Sequence, residues 1–201
     1  MVDALSPASD AARHARLADG KALILYYSFT GNTETLARLL HQETGLPLVA
    51  IERPQAFMLD PDDDGPEPID VDEADLGACD TIILGFPVWT DQLPSGLAAW
   101  LDDNPLENKT ILPFCTHSGN GPGNTFDELK TACPGSVVRD GLALIGGVEE
   151  DGVLMPLEDQ QLAEARMQFR AWLDREIPAA DDAQSGTAVP PAGTATGSQG
   201  A

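Results

Sequence analysis

Apolar stretches alternate with amphipathic ones along most of the chain. Five apolar runs predict β-strands over residues 21–27, 46–51, 81–86, 109–115 and 136–145. Apolar residues at helical spacing predict helices over residues 32–44, 95–101, 124–131 and 157–177. Strands that alternate with helices indicate an α/β fold built on a doubly wound parallel sheet.

Two of these elements carry clear packing signals. The run Thr-Ile-Ile-Leu-Gly-Phe over residues 81–86 is uninterrupted, which is typical of a parallel strand covered on both faces. The final helix places an apolar stripe on one side, which predicts that it packs against the sheet. The stripe consists of Leu162, Ala165, Phe169, Trp172 and Leu173.

Composition divides the chain into three parts. Residues 1–20 are polar and alanine-rich and are expected to form a flexible leader, and residues 21–177 form the folded domain. Residues 178–201 contain mainly Ala, Gly, Thr, Ser and Pro, which predicts a disordered tail. The leader lacks the apolar core of a signal peptide, and no apolar run is long enough to span a bilayer. We therefore expect a cytoplasmic protein without a membrane segment.

The cysteines predict neither a disulfide framework nor a metal site. The three thiols form an odd number and lack the spacing of metal ligands. Cys79 and Cys115 lie beside apolar strands, so we expect them to be buried and unreactive.

The charge is strongly negative, with 33 acids, 11 bases and a formal net charge of −22, which argues against nucleic acid as a partner. Residues 60–80 contain ten acids and no base, and most of this segment belongs to a proline-rich connection over residues 53–75 that is expected to be irregular. Three interpretations stay open: a solvated loop, a docking face for a basic partner, or adaptation to high salt.

A turn rich in hydroxyl groups follows the first strand. Its neutral donors are Ser28, Thr30, Asn32, Thr33 and Thr35, and Gly31 lets the backbone approach a ligand closely where the first helix begins. Helix N-termini attract anions through free N–H groups and the helix dipole. The turn has no lysine or arginine, so a nucleoside triphosphate loop is not expected. The pattern predicts a site for one phosphate held by neutral donors; the alternative is a capped turn that binds nothing.

Three loops are expected to meet at one edge of the sheet, because ligands of such folds bind beyond the carboxyl ends of the strands. They span residues 28–33, 87–94 and 116–124. The second loop carries Trp89, whose indole can stack on a flat ring, and the third is rich in glycine, which exposes backbone N–H groups. Together they predict a site for a phosphorylated planar heterocycle.

The motifs of these loops resemble those of the flavodoxins. They are Ser-Phe-Thr-Gly-Asn-Thr at 28–33, Gly-Phe-Pro-Val-Trp at 85–89 and Pro-Phe-Cys-Thr-His-Ser-Gly at 113–119. The resemblance spans about residues 21–177 and implies a flavodoxin-like five-stranded sheet of order 2-1-3-4-5 with non-covalently bound FMN. It implies a phosphate site at Ser28, Thr30, Gly31, Asn32 and Thr33, and flavin contacts at Pro87, Val88, Trp89, Thr116, His117, Ser118, Gly119 and Gly123.

The chain departs from the family pattern in three ways. His117 and Asn120 replace smaller residues, so the third loop is expected to have a different shape. The acidic connection stands where relatives often carry an aromatic-rich stretch. No insertion splits the fifth strand, which indicates a short-chain form.

Three functions remain open at this point. The first is an electron carrier that docks a redox partner, for instance a basic one, through its acidic surface. The second is an FMN-dependent NAD(P)H:quinone-type oxidoreductase, in which His117 would form a hydrogen bond with a substrate carbonyl or supply a proton. The third is a cofactor-free interaction module, against which the intact hydroxyl loop argues. The sequence shows no dinucleotide fingerprint.

Overall fold

The computed structural model describes residues 17, 21–51, 73–147, 149–150, 153–154 and 157–177. The strands are β1 Ala22–Tyr26, β2 Leu48–Ala50, β3 Thr81–Pro87, β4 Thr110–His117, β5 Val137–Val138, β6 Leu142–Ile145, β7 Glu149–Glu150 and β8 Val153–Leu154. The helices are α1 Asn32–Thr44, α2 Glu73–Ala78, α3 Ser95–Asp103, α4 Thr125–Ala132 and α5 Asp159–Glu176.

The central sheet is parallel and has the order β2-β1-β3-β4-β5, with β6 also pairing with β4. This order confirms the predicted flavodoxin-like topology. Because all these strands are parallel, their carboxyl ends lie at one edge of the sheet, and the loops after β1, β3 and β4 meet there.

Two apolar layers cover the sheet, one on each face. Successive side chains of a strand point to opposite faces, so Leu23 and Leu25 of β1 lie in one layer and Ile24 and Tyr26 in the other. Helices α1 and α5 cover the face that contains Ile24, whereas α3 and α4 cover the opposite face. The predicted stripe of α5 is confirmed, since Ala165, Phe169, Trp172 and Leu173 are buried and Leu162 is partly buried against this layer.

Helix α1 has the bounds predicted from the sequence. Gly31 precedes it with φ 86°, and Gly45 follows it with φ 67° and donates its N–H to the carbonyl of His41 at 2.7 Å. Both glycines therefore adopt the left-handed conformation that costs other residues energy. The remaining predicted strands and helices are found with bounds that differ by up to a few residues.

The fifth strand predicted within residues 136–145 is found at the expected place in the sheet, but it is divided into two pieces. Two short strands, β5 and β6, occupy this position, and Ile111 pairs with Val138 while Phe114 pairs with Leu142. The carbonyl of Ile111 accepts a bond from Arg139, but the next β4 residue facing this edge is Pro113, which has no N–H. The ladder is interrupted there, and three residues on one side oppose two on the other, as in a β-bulge.

Other expectations concern the ends and the acidic connection. The connection was expected to be irregular as far as residue 75, but residues 73–78 form α2, and residues 52–72 lie outside the described part. Leu17, within the expected leader, is 3% exposed and packs in the core. The other leader residues and the tail, 178–201, lie outside the described residues, so these domain limits stay predictions. The short hairpin formed by β7 and β8 was not predicted.

The described helices include none that is both long and apolar enough to cross a bilayer.

Candidate functional site

A cleft of about 210 Å³ lies between the loops that follow β1, β3 and β4. Most of the predicted site residues line it, which confirms that the three loops gather at one edge. The lining residues are Phe29, Thr30, Asn32, Pro87, Val88, Trp89, Thr116, His117, Ser118 and Gly146. Five predicted residues do not line this cleft: Ser28, Gly31, Thr33, Gly119 and Gly123.

The start of α1 is the candidate anion site. Gly31 is the residue before the helix and supplies no side chain to cap it. The N–H and the hydroxyl of Thr35 both donate to the carbonyl of Gly31, at 2.8 and 3.0 Å. This hydroxyl is therefore engaged within the helix, and Thr30 is the exposed hydroxyl of the turn. The first turn of an α-helix carries backbone N–H groups that have no partner within the helix, and such groups suit an anion.

Ser28 and Thr33 hold the turn in place instead of facing the cleft. The hydroxyl of Ser28 accepts a bond from the N–H of Glu34 at 3.3 Å. The hydroxyl of Thr33 is buried and pairs with the hydroxyl of Thr116 at 2.8 Å, joining the start of α1 to β4. The predicted phosphate donors thus divide into two groups: Thr30 and Asn32 line the cleft, and Ser28 and Thr33 support the loop.

Trp89 stands at the base of a tight turn. Trp89 and Gln92 exchange backbone hydrogen bonds of 3.1 and 2.9 Å. The two residues between them, Thr90 and Asp91, have φ values of 49° and 61°. These values are typical of a type I′ turn, in which a β-branched residue such as Thr90 is strained.

The indole of Trp89 packs edge-on against two aromatic rings from the end of β1 and the turn. Its centroid lies 6.0 Å from that of Tyr27, at an interplanar angle of 69°, and 5.6 Å from that of Phe29, at 89°. Such edge-to-face contacts stabilise ring orientation. The indole is only half-buried, so it is held by its neighbours but retains free surface beside the cleft.

Gly123 connects the second and third loops. Its φ is 55°, and a Cβ atom there would lie 2.4 Å from the carbonyl oxygen of Asp91. The same oxygen accepts a bond from the N–H of Asn124 at 2.8 Å. Glycine is therefore required at this position because the two loop backbones touch, which is a different role from the flavin contact implied by the resemblance.

His117 ends β4 and lies in the wall of the cleft. Its Nδ1 accepts hydrogen bonds from the N–H groups of Gly119 at 3.0 Å and Gly121 at 3.3 Å. Partial burial lowers the pKa of the imidazole below its ordinary value of 6.5. Burial therefore favours the neutral ring.

The thiols are buried, as expected for Cys79 and Cys115, and Cys133 is buried as well. Burial raises the pKa of Cys115 to about 12, against a smaller opposing effect of its hydrogen bond with Thr125. Burial also raises the pKa of Cys133 to about 11. Thiols of such high pKa are unreactive at neutral pH.

Two lining residues were not assigned from the sequence. Phe29 lies within the hydroxyl-rich turn, where its aromatic side chain stands out among small polar residues. Gly146 follows β6, and a Cβ atom there would lie 2.6 Å from Cβ of Thr116. Its N–H donates to the carbonyl of His117 at 2.9 Å. The sequence feature that could have indicated Gly146 is the pair of glycines at residues 146–147, directly after the predicted fifth strand.

Comparison with known proteins agrees with this architecture. The flavodoxin family model matches residues 58–159, just over half of the chain. The chain therefore belongs to the flavodoxin family. The matched segment includes the second and third loops but not the turn at residues 28–33. No curated protein matches the chain.

Solved structures share the fold at low sequence identity. A Bacteroides eggerthii protein described as a flavoprotein is 24% identical, with a TM-score of 0.57 over 77% of this chain and 96% of that one. A flavoprotein from Lactobacillus acidophilus, solved in complex with FMN, is 23% identical, with a TM-score of 0.50 over 62% and 92%. A WrbA-like flavodoxin from Agrobacterium tumefaciens is 16% identical, with a TM-score of 0.52 over 79% and 98%.

Proposed function

We propose that the chain binds FMN non-covalently in this cleft and transfers electrons through it. The observation that carries the proposal is the combination of a helix N-terminus that begins at Gly31, which has no capping side chain, and a half-buried indole at Trp89 beside one cleft. The first suits a phosphate and the second suits a flat ring. Membership of the flavodoxin family and the FMN complex of the Lactobacillus acidophilus protein support the same ligand.

The residues present fit FMN. The N–H groups at the start of α1, the exposed hydroxyl of Thr30 and the side chain of Asn32 would hold the phosphate. Pro87, Val88 and Trp89 would line the ring system. Thr116, His117 and Ser118 would border it from β4 and the third loop.

Bound FMN supplies one-electron or two-electron redox chemistry, and the protein adjusts it through contacts and charge. No charged side chain is among the described residues that line the cleft. Extra negative charge on the cofactor would therefore gain no ion pair from the lining, and the net charge of −22 opposes it further. We expect a low reduction potential. Trp89 and Phe29 would exclude water from the ring.

For the electron carrier, we propose a basic redox protein as the partner. A chain with 33 acids and 11 bases attracts a basic redox protein at long range, which accelerates their association at low salt. We place the reaction in the cytoplasm.

An FMN-dependent NAD(P)H:quinone-type oxidoreductase is the second candidate. The observation in its favour is His117, an imidazole among the described residues that line the cleft. Because Nδ1 is occupied by backbone donors, Nε2 carries the proton that would be offered to a substrate oxygen.

Titration with FMN and riboflavin tests the ligand. We expect FMN to bind more tightly than riboflavin, since only FMN carries the phosphate. Thr30→Val should weaken FMN by about tenfold, corresponding to one lost hydrogen bond to a charged group, and leave riboflavin unchanged. Equal affinities for the two flavins would contradict the phosphate site. Absence of binding by either would leave the cofactor-free module.

Coulometric reduction of the FMN-loaded protein separates the two functions. Two resolved one-electron potentials, without oxidation of NADPH or NADH, would support the electron carrier. A single two-electron potential, together with quinone turnover on NAD(P)H, would support the oxidoreductase.

Arg38 is predicted to influence phosphate binding without touching the site. Its Nε donates to the carboxylate of Glu34 at 2.7 Å, in the first turn of α1. Arg38→Gln removes the cation that partly neutralises the Glu34 carboxylate, so this carboxylate would repel the bound phosphate more strongly. Because Arg38 is largely exposed, we expect only about a two- to fivefold loss of FMN affinity, which shrinks as salt increases.

Riboflavin and a second variant are the controls for Arg38. Riboflavin affinity should not change, since it has no phosphate. Glu34→Gln combined with Arg38→Gln should recover the FMN affinity. A loss that persists in the double variant, or that affects both flavins equally, would show that Arg38 acts on the fold.

A further inference from the structure

The third loop is folded around the ring of His117. The N–H groups of Gly119 and Gly121 both point to Nδ1, at 3.0 and 3.3 Å. The φ values of these residues are 121° and 84°, in the region that favours glycine. The loop can turn twice towards one ring atom because glycine stands at both positions.

This geometry assigns the tautomer of His117. An N–H donor needs a lone pair on its acceptor, so Nδ1 is unprotonated and Nε2 carries the hydrogen. An imidazolium ion has a hydrogen on both nitrogens. Protonation would therefore turn Nδ1 from an acceptor into a donor that faces two other donors, and both bonds to the loop would be lost.

No neighbouring charge among the described residues favours the protonated ring. The residues that line the cleft with His117 come from the turn after β1, the start of α1, the loop after β3, β4 and the end of β6, and none is charged. The acid of the second loop, Asp91, is exposed and is not among them. Burial alone accounts for the lowered pKa of His117, and burial favours the neutral ring.

We propose that His117 is a positioning residue: the neutral imidazole holds the third loop, through Nδ1, in the conformation that borders the flavin, and releases it on protonation. The expected effect on flavin binding rests on the proposed function. The two hydrogen bonds to Nδ1, in contrast, are present in the protein without cofactor.

The sign of the pH effect follows from the depressed pKa. The bonds are intact above the ordinary pKa of 6.5 and are lost as the pH falls through the lower value of the folded protein. The phosphate of FMN also titrates near pH 6, so riboflavin is the appropriate probe. We expect riboflavin affinity to fall by about threefold or more between pH 7.5 and about pH 5.

Two variants separate the ring nitrogens. The side-chain oxygen of His117→Asn replaces Nδ1 as an acceptor and does not titrate, whereas the amide nitrogen of His117→Gln replaces Nε2 and leaves Nδ1 without a substitute. We expect the Asn variant to bind riboflavin about fivefold more tightly than the Gln variant at pH 7.5. We also expect it to lose the pH dependence of the wild type. Equal affinities for the two variants, or a pH dependence retained in the Asn variant, would overturn the proposal.

NMR of the protein without cofactor keeps the test independent of flavin binding. In the wild type, the amide protons of Gly119 and Gly121 should shift with the same midpoint as the His117 ring. In the Asn variant, these shifts should disappear. If flavins fail to bind, this result still decides the role of Nδ1; amide shifts that do not follow the ring would contradict it.

Discussion

Replacing Trp89 with alanine is expected to weaken FMN binding by about 10- to 100-fold. Stacking of a flat heterocycle on an aromatic side chain contributes about 1–3 kcal/mol, and each 1.4 kcal/mol is a factor of ten. The indole is half-buried and oriented by Tyr27 and Phe29, so little ordering is required when the flavin binds. Its loss should also shift the visible spectrum and the reduction potential.

Fluorescence titration with FMN provides the measurement, and two variants control it. Trp89→Phe keeps a ring for stacking and should weaken FMN binding by only about 0.5–1 kcal/mol, roughly a third of the loss expected for alanine. Trp100 is also half-buried but lies in α3, away from the cleft. Trp100→Ala should lower the melting temperature and leave FMN affinity unchanged. A Trp89→Ala variant that changes only the melting temperature would make Trp89 a packing residue.

The sequence predicts the site well where local signals and topology coincide. Gly31 and Gly45 mark both ends of α1, and each adopts the positive φ that makes glycine preferable. The apolar run over residues 81–86 predicts a central strand, and parallel topology brings its following loop beside the turn at residue 28. The cleft follows from these features without knowledge of any side-chain contact.

The use of each hydroxyl group cannot be predicted in this way. Thr30, Thr33 and Thr35 are equivalent in a motif, yet Thr33 pairs with Thr116, which is 83 residues away in the sequence. Thr35 instead donates to the carbonyl of Gly31. Which hydroxyl faces the cleft depends on the position of each side chain around the helix and on a distant strand.

The fifth strand position shows a second limit. An apolar run over residues 136–145 predicts one strand, but its pairing depends on donors in β4. Pro113 removes one donor, so the interruption is encoded in the neighbouring strand and not in the run itself. The contact between His117 and the loop glycines joins residues that are close in the sequence. It depends, however, on two positive φ values that the sequence pattern alone does not reveal.

Replacing Gly85 with alanine is expected to destabilise the fold by about 3 kcal/mol. The residue lies in the middle of the sheet and pairs with Tyr26 of β1 and Phe114 of β4. A Cβ atom there would lie 2.2 Å from Cζ of Phe114, whose ring is fully buried and packs edge-on against Phe169 at 5.2 Å. The ring has no space to move, so the added methyl group forces overpacking.

Chemical denaturation of the protein without cofactor measures this effect, and Gly77→Ala is the matched control. Gly77 is exposed in α2, and a Cβ atom there meets nothing within 4 Å, so alanine should be neutral or stabilise the fold by up to about 1 kcal/mol. Phe114→Leu removes part of the ring that meets the new methyl group. The double variant of Gly85→Ala and Phe114→Leu should therefore lose less stability than the sum of the single changes. If the losses simply add, or if Gly85→Ala costs under about 0.5 kcal/mol, the ring does not require glycine beneath it.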